Sequence, residues 1–149
     1  MNTDVRDNSN WIARAGINGW AAFTPTWAAT GTAVAAGNAT VFGRYAEVGR
    51  TVVGNIVFVA GSTSTFGTGD YSWALPVAVN VAATTSQPVG RGYIHDSGTA
   101  RYLVAGEHIA TDSVRLFLDA LNTVAGQLVP FTWAQNDALR LGLLYEAAA

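Results

Sequence analysis

The stretch Arg50-Thr51-Val52-Val53-Gly54-Asn55-Ile56-Val57-Phe58-Val59-Ala60 is apolar on both faces that an extended chain would present. β-Branched and aromatic residues dominate it, as in a strand. A period of two puts Val52, Ile56 and Phe58 on one side and Val53, Val57 and Val59 on the other. Antiparallel sheets normally leave one face to water and alternate apolar with polar. A strand apolar on both sides therefore has two covering layers. A chain of 149 residues has few elements to spare for the second layer. Val53, Val57 and Val59 are thus expected to form a subunit interface.

The same pattern extends outward in both directions. Thr40–Val48 precedes this stretch, and Gly49 suits a tight hairpin turn between the two. Further runs rich in Val, Ile, Phe, Tyr, Trp and Thr occur at 22–27, 71–75, 77–83, 89–95, 100–104, 113–118 and 138–145, separated by Gly, Asn, Asp, Ser and Pro clusters. In 113–118, Val114, Leu116 and Leu118 alternate with Arg115 and Phe117, which selects strand over helix. In the last run Leu139, Leu141, Leu143 and Tyr145 share one side. Short strands at roughly even spacing imply an all-β fold, an antiparallel β-sandwich of jelly-roll type over residues 20–149.

Residues 1–19 differ. They are mostly polar, and Asn8, Ser9 or Asn10 is placed to cap about one helical turn from Trp11 to Ala15 ahead of Gly16. One turn is marginal alone, so Trp11 and Ile12 need a foreign surface. This segment is expected to be an arm that orders on a partner through Asp4, Arg6, Trp11, Ile12 and Arg14. Its polar start lacks the apolar region of a secretory signal.

Charged residues make up only 12% of the chain, while hydrophobic residues reach 50%; soluble domains carry about 25% charged residues. All eight basic residues are arginine, the cation favoured at interfaces, and lysine is absent. This composition points to a subunit that hides surface against copies of itself. The net charge of −2 argues against general binding to nucleic acid or an anionic membrane, and no apolar run approaches the ~20 residues of a membrane-spanning helix. Without cysteine there is neither a disulfide framework nor a thiolate metal site.

Chemistry-bearing patterns are sparse. His95–Asp96 and Glu107–His108 offer adjacency, which on a strand points neighbours to opposite faces and does not make a metal site. No Gly-x-Ser-x-Gly elbow is present. Asp70, Asp96, Asp112 and Asp137 sit in turn-like contexts where aspartate is expected for backbone reasons. Gly90-Arg91-Gly92 and Gly67-Thr68-Gly69 read as turns and bulges. No catalytic role and no cofactor are expected. Trp20, Phe23, Trp27, Trp73 and Trp133 lie in or beside strands as core candidates; one or two on an exposed face would allow stacking on sugar rings.

One ordered series of motifs is recognisable: Trp20-Ala-Ala-Phe-Thr-Pro-Thr-Trp27, Gly43-Arg-Tyr45, Val48-Gly-Arg-Thr-Val52, Ser64-Thr-Phe-Gly-Thr-Gly69, Tyr71-Ser-Trp-Ala-Leu-Pro76 and Pro130-Phe-Thr-Trp133. In order and spacing it resembles a small all-β domain of tailed-phage virion surface proteins, as in minor tail, fibre-tip and capsid decoration proteins of phages with actinobacterial hosts. The resemblance implies a β-sandwich that associates as a homotrimer and binds by surface shape without catalysis. It gives two expectations: a decoration protein clipped to the major capsid protein by its arm, or a tail receptor-binding module recognising host-surface glycans.

Overall fold

The computed structural model describes residues 19–80 and 87–148. The strands are β1 (Ala21–Phe23), β2 (Trp27–Ala29), β3 (Thr40–Val48), β4 (Thr51–Val59), β5 (Tyr71–Ala74), β6 (Pro88–Asp96), β7 (Ala100–Ala110), β8 (Ser113–Leu118), β9 (Thr123–Val124) and β10 (Ala138–Glu146), with a 3-10 turn at Asp119–Leu121. They form a single antiparallel sheet in the order β1-β3-β4-β10-β6-β7-β8-β5-β2, with β9 added to β8.

The two edge strands of this order are neighbours in sequence. β1 pairs with β3 and β2 with β5, and the registers make both run in the same direction. One extended segment therefore passes from one edge to the other at Thr24-Pro25-Thr26, a link that spans only about 10–14 Å. The sheet must curl until its edges approach. The expected strand 22–27 is thus two strands. Pro25 has no N–H for a ladder and is tolerated at such a break. The all-β antiparallel expectation holds, and the two layers of the sandwich are two halves of one curled sheet.

The inward rows follow from the register. Val41, Phe58, Leu139, Ile94 and Tyr102 lie opposite one another across β3, β4, β10, β6 and β7, and Gly43, Ile56, Leu141, Gly92 and Val104 form the next row. Phe58, Ile56, Ile94 and Leu139 are fully buried, as are Val114 and Leu116 of β8. Aromatic rings fill the space between the halves. Trp27 of β2 meets Phe58 of β4 with ring centroids 4.7 Å apart, and Tyr71 meets Trp133 at 5.7 Å. Deep burial of these side chains contributes roughly 1.5–3 kcal/mol each.

Three further expectations are corrected. Of the strand expected at 77–83, residues 77–80 form none: Val79 makes a bridge to Ala147, and the Val77 carbonyl accepts the Tyr145 hydroxyl at 2.8 Å across the sheet end. Residues 81–86 lie outside the described residues. The strand expected at 100–104 continues to Ala110, because Ala105–His108 stay paired with β8 despite their small and charged side chains. Gly90-Arg91-Gly92 is no turn: it lies inside β6, beside a register shift between Pro88 and Gly90.

Those glycines are required by close approach. A Cβ on Gly90 would collide with the carbonyl oxygen of Gly142, and one on Gly92 with that of Arg140, because β6 coils tightly onto β10. Gly92→Ala is expected to destabilise the fold by about 1–3 kcal/mol as the two central strands are pushed apart. Gly19→Ala, in open space, should be silent. Urea unfolding monitored by tryptophan fluorescence compares the two.

The registers also give the molecule two unlike ends. The β3–β4 hairpin, with Gly49 at φ 60°, the entry to β1 and the exit from β10 share one end. The connection from β5 to β6 starts and finishes at that end too, whereas 30–39, 60–70, 97–99 and 119–137 gather at the other. There, side chains tie loop to loop: Thr63 Oγ1 donates to Asn38 Oδ1 at 3.0 Å, and Thr32 and Thr68 hydroxyls lie 3.1 Å apart.

Candidate functional site

The arm residues Asp4, Arg6, Trp11, Ile12 and Arg14 lie outside the described residues. The ionisable groups considered for chemistry do not converge. Among the described residues no group of three or more His, Asp or Glu is placed to hold a metal ion. Asp137 is buried and serves the backbone, accepting from Ser97 N at 2.8 Å and Ala134 N at 2.6 Å. Asp112 sits in the β7–β8 turn, at the end opposite Asp70 and Asp96. His108 is buried with neither ring nitrogen partnered.

The distinctive surface is the outward face of β3, β4, β10, β6 and β7. Its central row is Phe42, Val57, Arg140, Tyr93 and Leu103, each directly opposite the next across the ladder. On one side lie Thr40, Val59, Ala138, His95 and Arg101; on the other, Arg44, Asn55, Gly142, Arg91 and Ala105. Val53 and Leu144 oppose each other one step further. Val53, Val57 and Val59 therefore all point away from the core, as the period of two requires. Several large apolar side chains stand out from this wall: Leu103 is 81% exposed, Leu144 62% and Phe42 41%. An antiparallel sheet open on one side usually turns a polar face to water, and this outward band of apolar side chains departs from that pattern.

The band also carries unpaired positive charge. The two ion pairs among the described residues use Arg50 with Glu146 and Arg115 with Glu107. The remaining described arginines, Arg44, Arg91, Arg101 and Arg140, all lie on this face without a carboxylate partner. Arg44 lies 5.7 Å from the Trp20 ring centroid and Arg101 5.1 Å from that of Tyr93. Such stacking holds a guanidinium flat while its N–H edges stay free. One terminal nitrogen of Arg140 is buried without an acceptor. Arg91 borders two clefts of about 340 and 480 Å³, the first lined also by Leu103 and Ala105 and the second by Gly142 and Leu144.

Most of this face was hidden from sequence reasoning. The double apolar pattern of β4 located it, but Leu103, Leu144 and the four arginines come together only through strand order. Trp20 is half-exposed over Arg44, whereas Trp27, Trp73 and Trp133 are core residues. Comparison of the chain with family models, curated proteins and solved structures finds no match.

Proposed function

We propose that the chain is a structural subunit of a tailed-phage virion that assembles as a homotrimer through the outward face of β3, β4, β10, β6 and β7, and decorates the capsid. The observation that carries this reading is the outward apolar band on five adjacent strands, which a polypeptide with 12% charged residues has little means of keeping dispersed. The motif series from Trp20 to Trp133 supplies the virion setting. In this reading the arm, anchored by Trp11 and Ile12, lies across the major capsid protein, and three linked copies multiply a weak single contact. Burial of those two side chains contributes on the order of 2–5 kcal/mol per arm before ordering costs.

Sedimentation of the purified protein at micromolar concentration is expected to give a species of three times the 15.6 kDa chain mass. A stable single-chain species would overturn the reading. Deletion of residues 1–16 should leave the trimer folded and abolish its attachment to capsids, measured as occupancy by image reconstruction; undiminished decoration would remove the arm from the mechanism. A second reading, a tail module that recognises host-surface glycans, draws on the loop-rich end, where Thr32, Asn38, Thr63 and Thr68 are held in a side-chain network. Copy number on a stained gel of virions separates the two: hundreds of copies for a capsid subunit, a handful for a tail tip.

A further inference from the structure

We infer that the arginine-bearing face seats on a second copy of this chain head to tail, against the patch carrying Asp70, Asp119, Leu121 and Leu128, and not against its own counterpart. The inference rests on the oligomeric reading above and adds which two surfaces meet.

Charge decides between the two arrangements. Arg44, Arg91, Arg101 and Arg140 have no carboxylate partner among the described residues. Two copies meeting face to face would bring eight uncompensated guanidiniums into one partly dehydrated contact, where like charges repel far more than in water. Two carboxylates able to complement them lie at the rim of this face and beyond it. Asp70 and Asp119 are exposed, and neither carboxylate has a hydrogen bond or ion pair among the described residues. They are accompanied by the exposed Leu121 and Leu128. Asp70 and Leu128 share a cleft of about 350 Å³ with Thr68, Gly69 and Gln127. The projecting Leu103 and Leu144 on the first surface and a cleft on the second give the apolar half of the match. The unpaired arginines on the first surface and the unpaired aspartates on the second give the polar half.

Position on the wall agrees. The arginine face spans β3 to β7, and the acidic patch continues beyond it around β8, β9 and the start of β5, with Asp119 at the rim of the cleft that also holds Arg91. Each copy thus offers one surface to each of two neighbours. A contact between two different patches repeats in one direction and closes into a ring when the rotation permits, which a self-matching contact does not do.

The test compares the full-length protein with Arg91→Glu/Arg140→Glu, with Asp70→Arg/Asp119→Arg, and with all four substitutions together, by sedimentation and circular dichroism. Because Arg140 is only half-exposed, Arg91→Glu/Arg101→Glu serves as a second face variant if the first fails to fold. Each pair is expected to weaken assembly at least a hundredfold while keeping the β spectrum. The four-substitution protein should recover assembly to within about tenfold of wild type, since the two reversed face positions then meet the two reversed patch positions, with Arg44 and Arg101 unchanged. If the face variant dissociates while the patch variant remains assembled, or if the combination does not recover, the head-to-tail pairing is overturned and the oligomeric reading stands. A wild-type protein that sediments as a single chain overturns both.

Discussion

Trp73→Ala is expected to remove most of the stability of the fold. Trp73 is fully buried on β5, stacked nearly parallel to Trp27 at 6.4 Å and edge-on to Phe58 and Tyr71 at 6.3 and 6.0 Å. It touches both halves of the curled sheet, so its loss opens a void that neither half can close without parting from the other. Truncation of a buried tryptophan costs about 3–5 kcal/mol, against a total of roughly 5–15 kcal/mol for a domain. The melting temperature should fall by about 10–20 °C. Trp73→Phe should lose much less, because it keeps a ring in the stack and removes an indole N–H that has no acceptor. Equal losses for the two variants in a thermal melt would show that the ring stack is not what joins the halves.

The second large effect is alkaline unfolding. Burial pushes the Tyr71 phenol well above its ordinary range while its hydroxyl donates to Phe66 O at 2.6 Å. Burial also pushes Tyr145 up to about 12, opposed by its hydrogen bond to the Val77 carbonyl and reinforced by the nearby Glu47. The folded state holds these protons more tightly than the unfolded chain, whose phenols titrate near 10. Their contribution is therefore fully present below pH 10 and is lost as the pH rises through the folded values, at up to ~1.4 kcal/mol per pH unit for each group. Stability should be flat with respect to these groups at neutral pH and fall steeply from pH 10 towards 12. Tyrosinate absorbance of Tyr71 and Tyr145 should appear together with loss of the β spectrum. Tyr71→Phe and Tyr145→Phe should each flatten the decline. Reversible ionisation of both phenols near pH 10 in a folded protein would contradict their burial.

Where neighbours in sequence carry the signal, the fold is readable from it. The alternation in 113–118 and 138–145 gave strands whose inward residues, Val114, Leu116, Leu139 and Leu141, are buried as the period of two demands. Val53, Val57 and Val59, the second face of the double pattern at 50–60, point outward. What escaped is set by distant partners. Gly90 and Gly92 look like a turn because their requirement comes from the carbonyls of Gly142 and Arg140, some fifty residues away. The run at 22–27 looks continuous because strand-forming residues stand on both sides of Pro25, and only its two pairings show that it belongs to opposite edges. The arginine face was invisible for the same reason: Arg44, Arg91, Arg101 and Arg140 are scattered in the chain and gather only when β10 inserts between β4 and β6.

The unequal ends of the curled sheet give the molecule a polarity that any fusion must respect. A fluorescent protein or affinity tag joined at residue 19 or after residue 148 would hang from the hairpin side, because both strands that meet the flanking chain open there. The opposite rim, built from Thr, Asn, Ser and Asp loops, would stay unobstructed. A label at residue 19 or after residue 148 should therefore leave that rim open, whereas a peptide inserted between Ser62 and Thr63 would sit across it.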